Sequence, residues 1–172
     1  MKNYRIQSMA RINTLNPKLI PTATKVIDAA WKDRIHVYVV WAYRSSHDQD
    51  LLYRFGRDIP GQIQTTKRGG WSAHNYGLAL DFCLMEDDKM LLWEDVQERE
   101  YWKQKWVRLV RMFEAEGWET GWRWPSFEPG HVQNLLGKSM GEIYQIYEQE
   151  NENRSYGIET IRKQTEDQGI FI

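Results

Sequence analysis

Two segments with the spacing of amphipathic helices constrain the fold of this 172-residue chain more than any other feature of its sequence. Apolar residues recur at three- and four-residue steps over residues 16–33 and again over residues 94–116. A helix with one apolar face has to bury it, and the β-branched and aromatic run over residues 35–41 predicts a largely buried strand beside it. A second strand is predicted over residues 78–84. Because helices and strands mix without a regular βαβ alternation, the sequence predicts an α+β fold with an antiparallel sheet.

Shorter signals indicate the remaining elements. Ser45 or Ser46 can cap a third helix. Residues 57–73 contain several glycines and few apolar side chains, and long loops of this kind are usually functional lids or mobile segments. We predict a single domain over residues 1–172. Its motif-bearing core covers about residues 10–137, and a polar tail with one helix around 139–150 covers residues 138–172.

Composition excludes several classes of site. Lys and Arg together number 23 and Asp and Glu 24, so the net charge is −1 and no basic excess favours nucleic-acid binding. Cys83 is the only cysteine, which excludes an internal disulfide and a cysteine-rich zinc site, and we interpret it as a small buried hydrophobic residue. Any metal must therefore be held by histidine and carboxylate ligands. The amino terminus is polar and no run of 18 apolar residues occurs, so we expect neither a signal peptide nor a membrane span. We also expect the protein to be a monomer.

Large aromatic residues are numerous, with nine Trp and nine Tyr. They could form a surface that stacks on sugars or peptides, or they could fill a small core. The same two interpretations stay open for Trp118, Trp122 and Trp124, which follow the second amphipathic segment.

A histidine and an aspartate lie seven positions apart in the segment from Ser72 to Asp81. We predict His74 in the loop that enters the second strand and Asp81 on one face of that strand, so that the loop can fold His74 back over Asp81. A carboxylate within an apolar strand needs a partner. The partner could be a metal ion, or loop amides could donate hydrogen bonds to Asp81 while His74 is an ordinary surface histidine.

Glu128 and His131 form a second candidate pair. A Glu three residues before a His in a turn can place a general base beside a metal ligand without binding the metal itself. His74, Asp81 and His131 would offer two nitrogens and one oxygen and leave the fourth tetrahedral position for water, as in catalytic zinc sites. Zinc lowers the pKa of its bound water to about 7, and a nearby Glu can take up that proton and pass it to a leaving amine.

Arg44 lies in the turn that follows the first strand. Its planar guanidinium could polarise a scissile carbonyl or bind a substrate carboxylate. It could equally form a surface salt bridge with one of the many acidic residues.

Three motifs in this order resemble the zinc D-Ala-D-Ala carboxypeptidase family. They are Arg44 in a Tyr-Arg-Ser turn, the Ser-x-His-x-x-Gly-x-Ala-x-Asp run that ends at Asp81, and Glu-x-x-His at residues 128–131. The family belongs to the lysostaphin, D-Ala-D-Ala metallopeptidase and hedgehog superfamily. The chain length and the segment over residues 15–19 most resemble L-alanyl-D-glutamate endopeptidases, which occur as phage endolysins and bacterial wall hydrolases. The resemblance covers about residues 10–137.

The resemblance implies a fold in which a small antiparallel sheet carries a zinc site and helices flank the sheet. It implies that His74, Asp81 and His131 bind zinc. It also implies that Glu128 is the general base and acid, and that Arg44 steadies the oxyanion or the substrate. Three further residues are expected to bind substrate: Ser72, Trp122 and Trp124.

The chain departs from the family in one turn. Members often have proline or an aromatic residue immediately before the second motif histidine, where this chain has Gly130 preceded by Pro129. Proline biases Glu128 toward an extended backbone and glycine adds conformational freedom, so the position of the general base depends on this turn.

The function that the resemblance implies is hydrolysis of the peptidoglycan stem peptide between L-Ala and D-Glu. A D-Ala-D-Ala carboxypeptidase or dipeptidase is the alternative within the same chemistry. A non-catalytic zinc-containing binding module is the alternative from another class, since the hedgehog signalling domain belongs to the same superfamily. Without a signal peptide, we expect a protein made in the cytoplasm that reaches the wall through a holin-type lesion or on a phage particle.

Overall fold

The computed structural model describes residues 4–150 and contains helices, short 3-10 turns and one sheet. The helices are α1 (Tyr4–Ile12), α2 (Ile20–Lys32), α3 (Ser46–Arg54), α4 (Trp93–Val96), α5 (Glu100–Ala115) and α6 (residues 140–150). The strands are β1 (Val37–Trp41), β2 (Ala79–Glu86), β3 (Lys89–Leu91), β4 (Glu119–Thr120) and β5 (His131–Gln133), and the 3-10 turns cover Ala73–Tyr76 and Gly121–Arg123. One compact unit extends to Leu136 and another begins at Gly137. None of the helices in the described part is long and apolar enough to span a membrane.

Strand β2 is the centre of the sheet, and all its neighbours are antiparallel to it. Asp81 is paired with Trp41 of β1 on one side and with His131 of β5 on the other. Nearer the end of β2, Glu86 is paired with Lys89 of β3. Strands β5 and β3 therefore share one edge of β2, and β4 extends the sheet beyond β5. The prediction of an α+β fold with a small antiparallel sheet is confirmed.

Helices α2 and α5 form the layer that covers the sheet, and they contact each other. Their buried residues are those of the two predicted apolar stripes: Ala23, Val26, Ile27 and Ala30 on α2, with Trp106, Leu109, Val110 and Phe113 on α5. Phe82 of β2 packs against α5, with its ring centroid 5.2 Å from Trp106 and 5.8 Å from Phe113. The apolar core thus lies directly beneath the strand that carries Asp81.

The second amphipathic segment is divided, so the prediction of one continuous helix over residues 94–116 is wrong. A short helix α4 ends at Val96, and α5 begins only after Arg99, whose backbone is extended (φ −106°, ψ 92°). The Arg99 guanidinium donates to both carboxylate oxygens of Glu86 at 3.0 Å, which ties the break to the end of β2. Gly117 follows the helix end with φ 79°, a conformation that favours glycine.

Helix α1 was not predicted from the sequence. Its contacts with β1 include two polar ones: the Ser8 hydroxyl, which is fully buried, accepts from the Val39 N–H at 3.0 Å, and Arg11 donates to the Val39 carbonyl at 3.0 Å. The helix therefore satisfies backbone groups on the outer edge of the sheet, a place where strands otherwise pair with other chains. Polar anchors of this kind leave no apolar stripe in the sequence.

Candidate metal centre

The structure brings together the three side chains predicted to be metal ligands. Asp81 lies on β2, His131 lies opposite it on β5, and His74 lies on the 3-10 turn before β2. The Nδ1 atom of His131 is 2.8 Å from Asp81 Oδ1, and His74 Nε2 is 3.2 Å from Asp81 Oδ2. One candidate ligand atom from each residue lies within 4.8 Å of the other two. Two nitrogens and a carboxylate oxygen at this spacing are a donor set that fits zinc.

A backbone carbonyl fixes the orientation of His74. Its Nδ1 atom is 2.7 Å from the Ala42 oxygen, and because only a protonated nitrogen can donate to a carbonyl, we assign the proton to Nδ1. Nε2 then faces Asp81: it donates to the carboxylate when it carries a proton, and it can bind a metal when it does not. The imidazole is 3% exposed, and the His74 carbonyl accepts from the Arg44 N–H at 3.0 Å. Such outer contacts hold a metal-binding histidine in one tautomer and one direction.

Gly77, the glycine of the His74 to Asp81 motif, has φ 65° and packs closely against the loop before α2. A Cβ at this position would lie 2.6 Å from the Asn16 backbone nitrogen, whose N–H donates to the Gly77 carbonyl at 2.9 Å. The glycine is needed because the chain must turn sharply here to enter β2 from the His74 turn.

Asn75 is a buried residue of the site that the sequence analysis did not identify. Its Oδ1 atom accepts from the N–H groups of Gly70 at 3.0 Å and Ser72 at 3.3 Å, and its amide donates to the Arg44 carbonyl at 2.9 Å. One side chain thus joins the long loop, the His74 turn and the Arg44 turn. The preference of asparagine for bonding turn backbone was the available signal.

Arg44 lies next to the cluster and is only 9% exposed. Its Nη2 atom is 3.7 Å from Asp81 Oδ2, Nη1 donates to Gln49 Oε1 at 2.9 Å, and the buried Nε has no hydrogen-bond partner. Burial lowers the pKa of the guanidinium, which Asp81 opposes. The Gln49 amide in turn donates to the Lys67 carbonyl at 2.9 Å and so ties the long loop to Arg44. The interpretation of Arg44 as a surface salt bridge is wrong.

The histidines keep the Asp81 carboxylate ionised. Burial alone would raise the pKa of this carboxyl, but hydrogen bonds from His131 and His74 outweigh burial and hold the pKa well below its usual range. For His131, burial lowers the pKa, but the hydrogen bond to Asp81 and the negative charges of Asp81 and Glu128 together raise it by more, so that the net shift is upward. The cluster therefore carries the negative charge that a divalent cation would neutralise.

Glu128 lies on a turn that is fixed through its backbone rather than its side chain. Its N–H donates to the Gly121 carbonyl at 3.0 Å, and its own carbonyl accepts from the His131 N–H at 3.0 Å. Phe127, just before it, has a positive φ of 44°, and a Cβ on Gly121 would overlap the Glu128 carbonyl. The Glu128 side chain is exposed and its charge helps to raise the pKa of His131.

The Pro129-Gly130 departure from the family is accommodated by contacts with the core. Trp106 donates through Nε1 to the Pro129 carbonyl at 3.0 Å, and the Gly130 carbonyl accepts from the Phe82 N–H at 2.8 Å. A Cβ on Gly130 would lie 2.8 Å from the Phe82 carbonyl oxygen. The glycine therefore lets this turn approach β2 closely, and the turn is not free to move.

A cleft of about 350 Å³ opens beside the cluster. Its lining includes Asp81, His131 and Glu128 together with Trp41 and Trp93. Trp41 is 47% exposed although it ends a strand that was predicted to be buried. Neither tryptophan was identified as a site residue from the sequence. Their positions depend on the end of β1 and the beginning of α4 lying side by side, which no spacing in the sequence indicates.

The three predicted substrate-binding residues do not line this cleft. Trp124 packs against His131 at a centroid distance of 5.2 Å, and Trp122 packs edge-on against Trp93 at 4.8 Å. Ser72 is half-buried in the turn before His74. Their contact with substrate stays a prediction. Trp118 is a core residue, 3% exposed.

The remaining histidines and the cysteine lie apart from the cluster. His36 is exposed and stacks on Trp31 at 4.8 Å, and His47 is exposed in the first turn of α3. Cys83 is fully buried, and burial raises the pKa of its thiol to about 12. Its interpretation as a small hydrophobic residue fits this environment.

Comparison with known sequences identifies a matching peptidase family and a similar peptidase. A family profile described as D-alanyl-D-alanine carboxypeptidase matches residues 65–134, which contain all three members of the cluster and Glu128. The peptidoglycan L-alanyl-D-glutamate endopeptidase CwlK of Bacillus subtilis (strain 168) is 35% identical over 124 residues, or 72% of this chain and 74% of CwlK.

Solved structures share the fold. The L-Ala D-Glu endopeptidase ChiX of Serratia marcescens is 25% identical, with a TM-score of 0.51 over 76% of this chain and 87% of that chain. The LD-carboxypeptidase LdcB has a TM-score of 0.52 at 19% identity, over 76% of this chain and 64% of LdcB. A mutant of the D,D-pentapeptidase VanY from a VanB-type vancomycin resistance cassette, solved in complex with Zn(II), has a TM-score of 0.51 at 17% identity, over 76% and 78% of the two chains.

Proposed function

Because the chain belongs to the D-alanyl-D-alanine carboxypeptidase family, we propose that it is a zinc-dependent peptidoglycan peptidase that hydrolyses the stem peptide between L-Ala and D-Glu. The observation that carries the proposal is the cluster of His74, Asp81 and His131 beside a cleft that Glu128 also lines. The choice of bond is supported by the names of CwlK and ChiX, both L-Ala-D-Glu endopeptidases.

The three clustered side chains would hold the metal. His74 would offer Nε2, since its other nitrogen donates to the Ala42 carbonyl, and Asp81 would offer an ionised carboxylate. His131 completes the set. When bound, zinc supplies Lewis-acid chemistry, polarising a carbonyl and making water more acidic. Two histidines and one carboxylate are a set used by catalytic rather than structural zinc sites.

Glu128 would move the proton. Its exposed carboxylate has no hydrogen bond or ion pair among the described residues, so it is free to accept a proton from the attacking water. The same carboxyl would then donate that proton to the leaving amine of D-Glu. The backbone bonds that Glu128 donates to Gly121 and accepts from His131 keep the carboxylate on the cleft side of the turn during both transfers.

Arg44 would stabilise negative charge. It is a buried cation with one unpaired donor, Nε, and it is held in place by Gln49. A fixed guanidinium of this kind lowers the energy of an oxygen that becomes negative as the peptide bond is attacked. Ser72, which precedes the His74 turn, would orient the substrate.

A carboxypeptidase acting on terminal D-Ala is the second candidate. It is favoured by the description of the matching family. The two activities release different products: an endopeptidase exposes a new amine on D-Glu, whereas a carboxypeptidase frees alanine.

The test is digestion of purified peptidoglycan, with the released ends read by mass spectrometry. We expect the native protein to expose the amino group of D-Glu, and Glu128→Gln to be slower by about 100- to 10,000-fold while keeping its zinc. Glu98→Gln, an equal change of charge at an exposed position outside the cleft, should behave as native. If native and variant proteins all hold zinc and cut nothing, the chain is a binding module; if alanine is freed, it is a carboxypeptidase.

We further propose that the protein acts as an endolysin of phage origin and reaches the wall after a holin-type lesion or on a particle. The support is the resemblance of its motif-bearing core to phage endolysins. Purification of intact particles would separate the two routes, since only the second predicts that the protein remains with the virion.

A further inference from the structure

The cleft beside the metal cluster contains a carboxylate that the proposed chemistry does not use. Glu94, in the first turn of α4, lines the same cleft as Glu128 and His131. Its side chain is exposed and takes part in no hydrogen bond or ion pair within residues 4–150. The cleft therefore holds a carboxylate that no cationic side chain of the described residues pairs with.

Stabilisation of the helix end does not account for Glu94. The neighbouring residue Asp95 already performs that task, because its Oδ2 atom accepts from the Leu92 N–H at 2.9 Å. Helix α4 is also only four residues long, so its dipole is small. The Glu94 carboxylate is thus available to a ligand.

The surroundings of Glu94 are suited to an organic cation. Trp93 lines the cleft, and its ring is held edge-on by Trp106 at 5.8 Å and by Trp122 at 4.8 Å. Trp41, which also lines the cleft, already has the Arg44 guanidinium 4.9 Å from its centroid, so aromatic faces here do accept cations. No Lys or Arg is found among the described residues that line the cleft. A carboxylate beside fixed indole rings is the arrangement that binds an ammonium group.

We propose that Glu94 and the Trp93 ring bind a primary ammonium group of the substrate and so select stem peptides that carry a free side-chain amine. The inference deepens the proposed function and rests on it, because the cleft must hold a peptide whose scissile bond reaches Glu128. Glu94 is a specificity-determining residue in this scheme and takes no part in bond cleavage.

Equilibrium binding tests the proposal without requiring turnover. The probe is a stem tripeptide with Lys at its third position and an uncharged, uncleavable CH2–CH2 link in place of the peptide bond between L-Ala and D-Glu, compared with the same peptide acetylated on the Lys side chain. We expect the zinc-loaded native protein to bind the free amine about fivefold more tightly by calorimetry. Glu94→Gln should bring this ratio to about one, and the matched variant Glu98→Gln should leave it at the native value.

Two results would overturn the proposal: equal affinities for the two peptides in the native protein, or a native ratio in Glu94→Gln, whether or not that variant binds both peptides more weakly. A third peptide, acetylated only at its amino terminus, identifies which amine the protein binds. If this peptide binds more weakly and the peptide acetylated on the side chain does not, selection by the side chain is wrong. Cleavable versions of the peptides distinguish a failure of the ammonium site from a failure of the proposed hydrolysis. A native protein that binds with the expected preference and cleaves none of them would refute the proposed hydrolysis and leave the ammonium site standing.

Discussion

The two halves of the candidate metal centre are built in opposite ways. Around His74 and Arg44, buried side chains hold one another through a polar network that includes Asn75 and Gln49. Around Glu128, the side chain is exposed and only the backbone of its turn is fixed. A metal ligand has to be immobile, whereas a proton carrier has to reach water and a leaving group in turn. The difference teaches that the same site needs rigidity in one half and access in the other.

The largest effect should come from breaking the point where the two halves meet. Asp81 contacts both histidines, so Asp81→Asn removes the charge and replaces the carboxylate by a neutral amide, whose oxygen is a much weaker ligand for zinc. We expect loss of stoichiometric zinc, measured by atomic absorption after dialysis, and loss of hydrolysis with it. Asp58→Asn, at an exposed site that pairs only with Arg54, is the control and should keep both. Zinc retained in Asp81→Asn would contradict the assigned ligand set.

Asn75→Ala tests the buried half alone. The change leaves three backbone groups without their partner, so we expect the free energy of unfolding to fall by about 1–3 kcal/mol. Zinc affinity should fall by about 10- to 100-fold, because the His74 and Arg44 turns lose their connection. Chemical denaturation and a competitive chelator titration measure the two quantities.

Asn13→Ala provides the matched comparison for that variant, since Asn13 is exposed and its side chain has no partner in the described region. A stability change as large in Asn13→Ala as in Asn75→Ala would show that the network has no special part in the site.

Gly121→Ala tests the accessible half and should have the smallest effect on the metal. A methyl group here overlaps the Glu128 carbonyl, so the turn has to shift. We expect slower hydrolysis with zinc content unchanged, and a loss of about 1–3 kcal/mol in the free energy of unfolding. Gly141→Ala, in α6, where the nearest heavy atom outside its own helix backbone and chain neighbours is 4.0 Å away, should leave hydrolysis unchanged and cause no loss of stability. If Gly121→Ala releases zinc, the two halves are not separable.

The sequence could reveal the parts of this site that depend on local order along the chain. His74 and Asp81 belong to one motif, and the apolar stripes of α2 and α5 follow helical periodicity, so both were predictable. Ser45 likewise caps α3, with its hydroxyl accepting from the Asp48 N–H at 3.0 Å.

The features that escaped prediction depend on contacts between distant segments. Asn75 and Gln49 act by joining loops whose meeting is not encoded in any spacing. Trp41 and Trp93 become cleft residues only because β1 ends and α4 begins beside the cluster. Helix α1 was missed for a third reason: its anchors, Ser8 among them, are polar groups bonded to backbone.

The pairing of Asp81 with His131 across β2 and β5 has a consequence for how the chain reaches its native state. A slip of one residue between these strands would place Leu80 or Phe82 opposite His131 and turn the carboxylate to the other face of the sheet. A cation that needs all three donors could not bind such a chain. Metal binding would therefore stabilise, by mass action, only those molecules whose strands have the register in which the three donors converge.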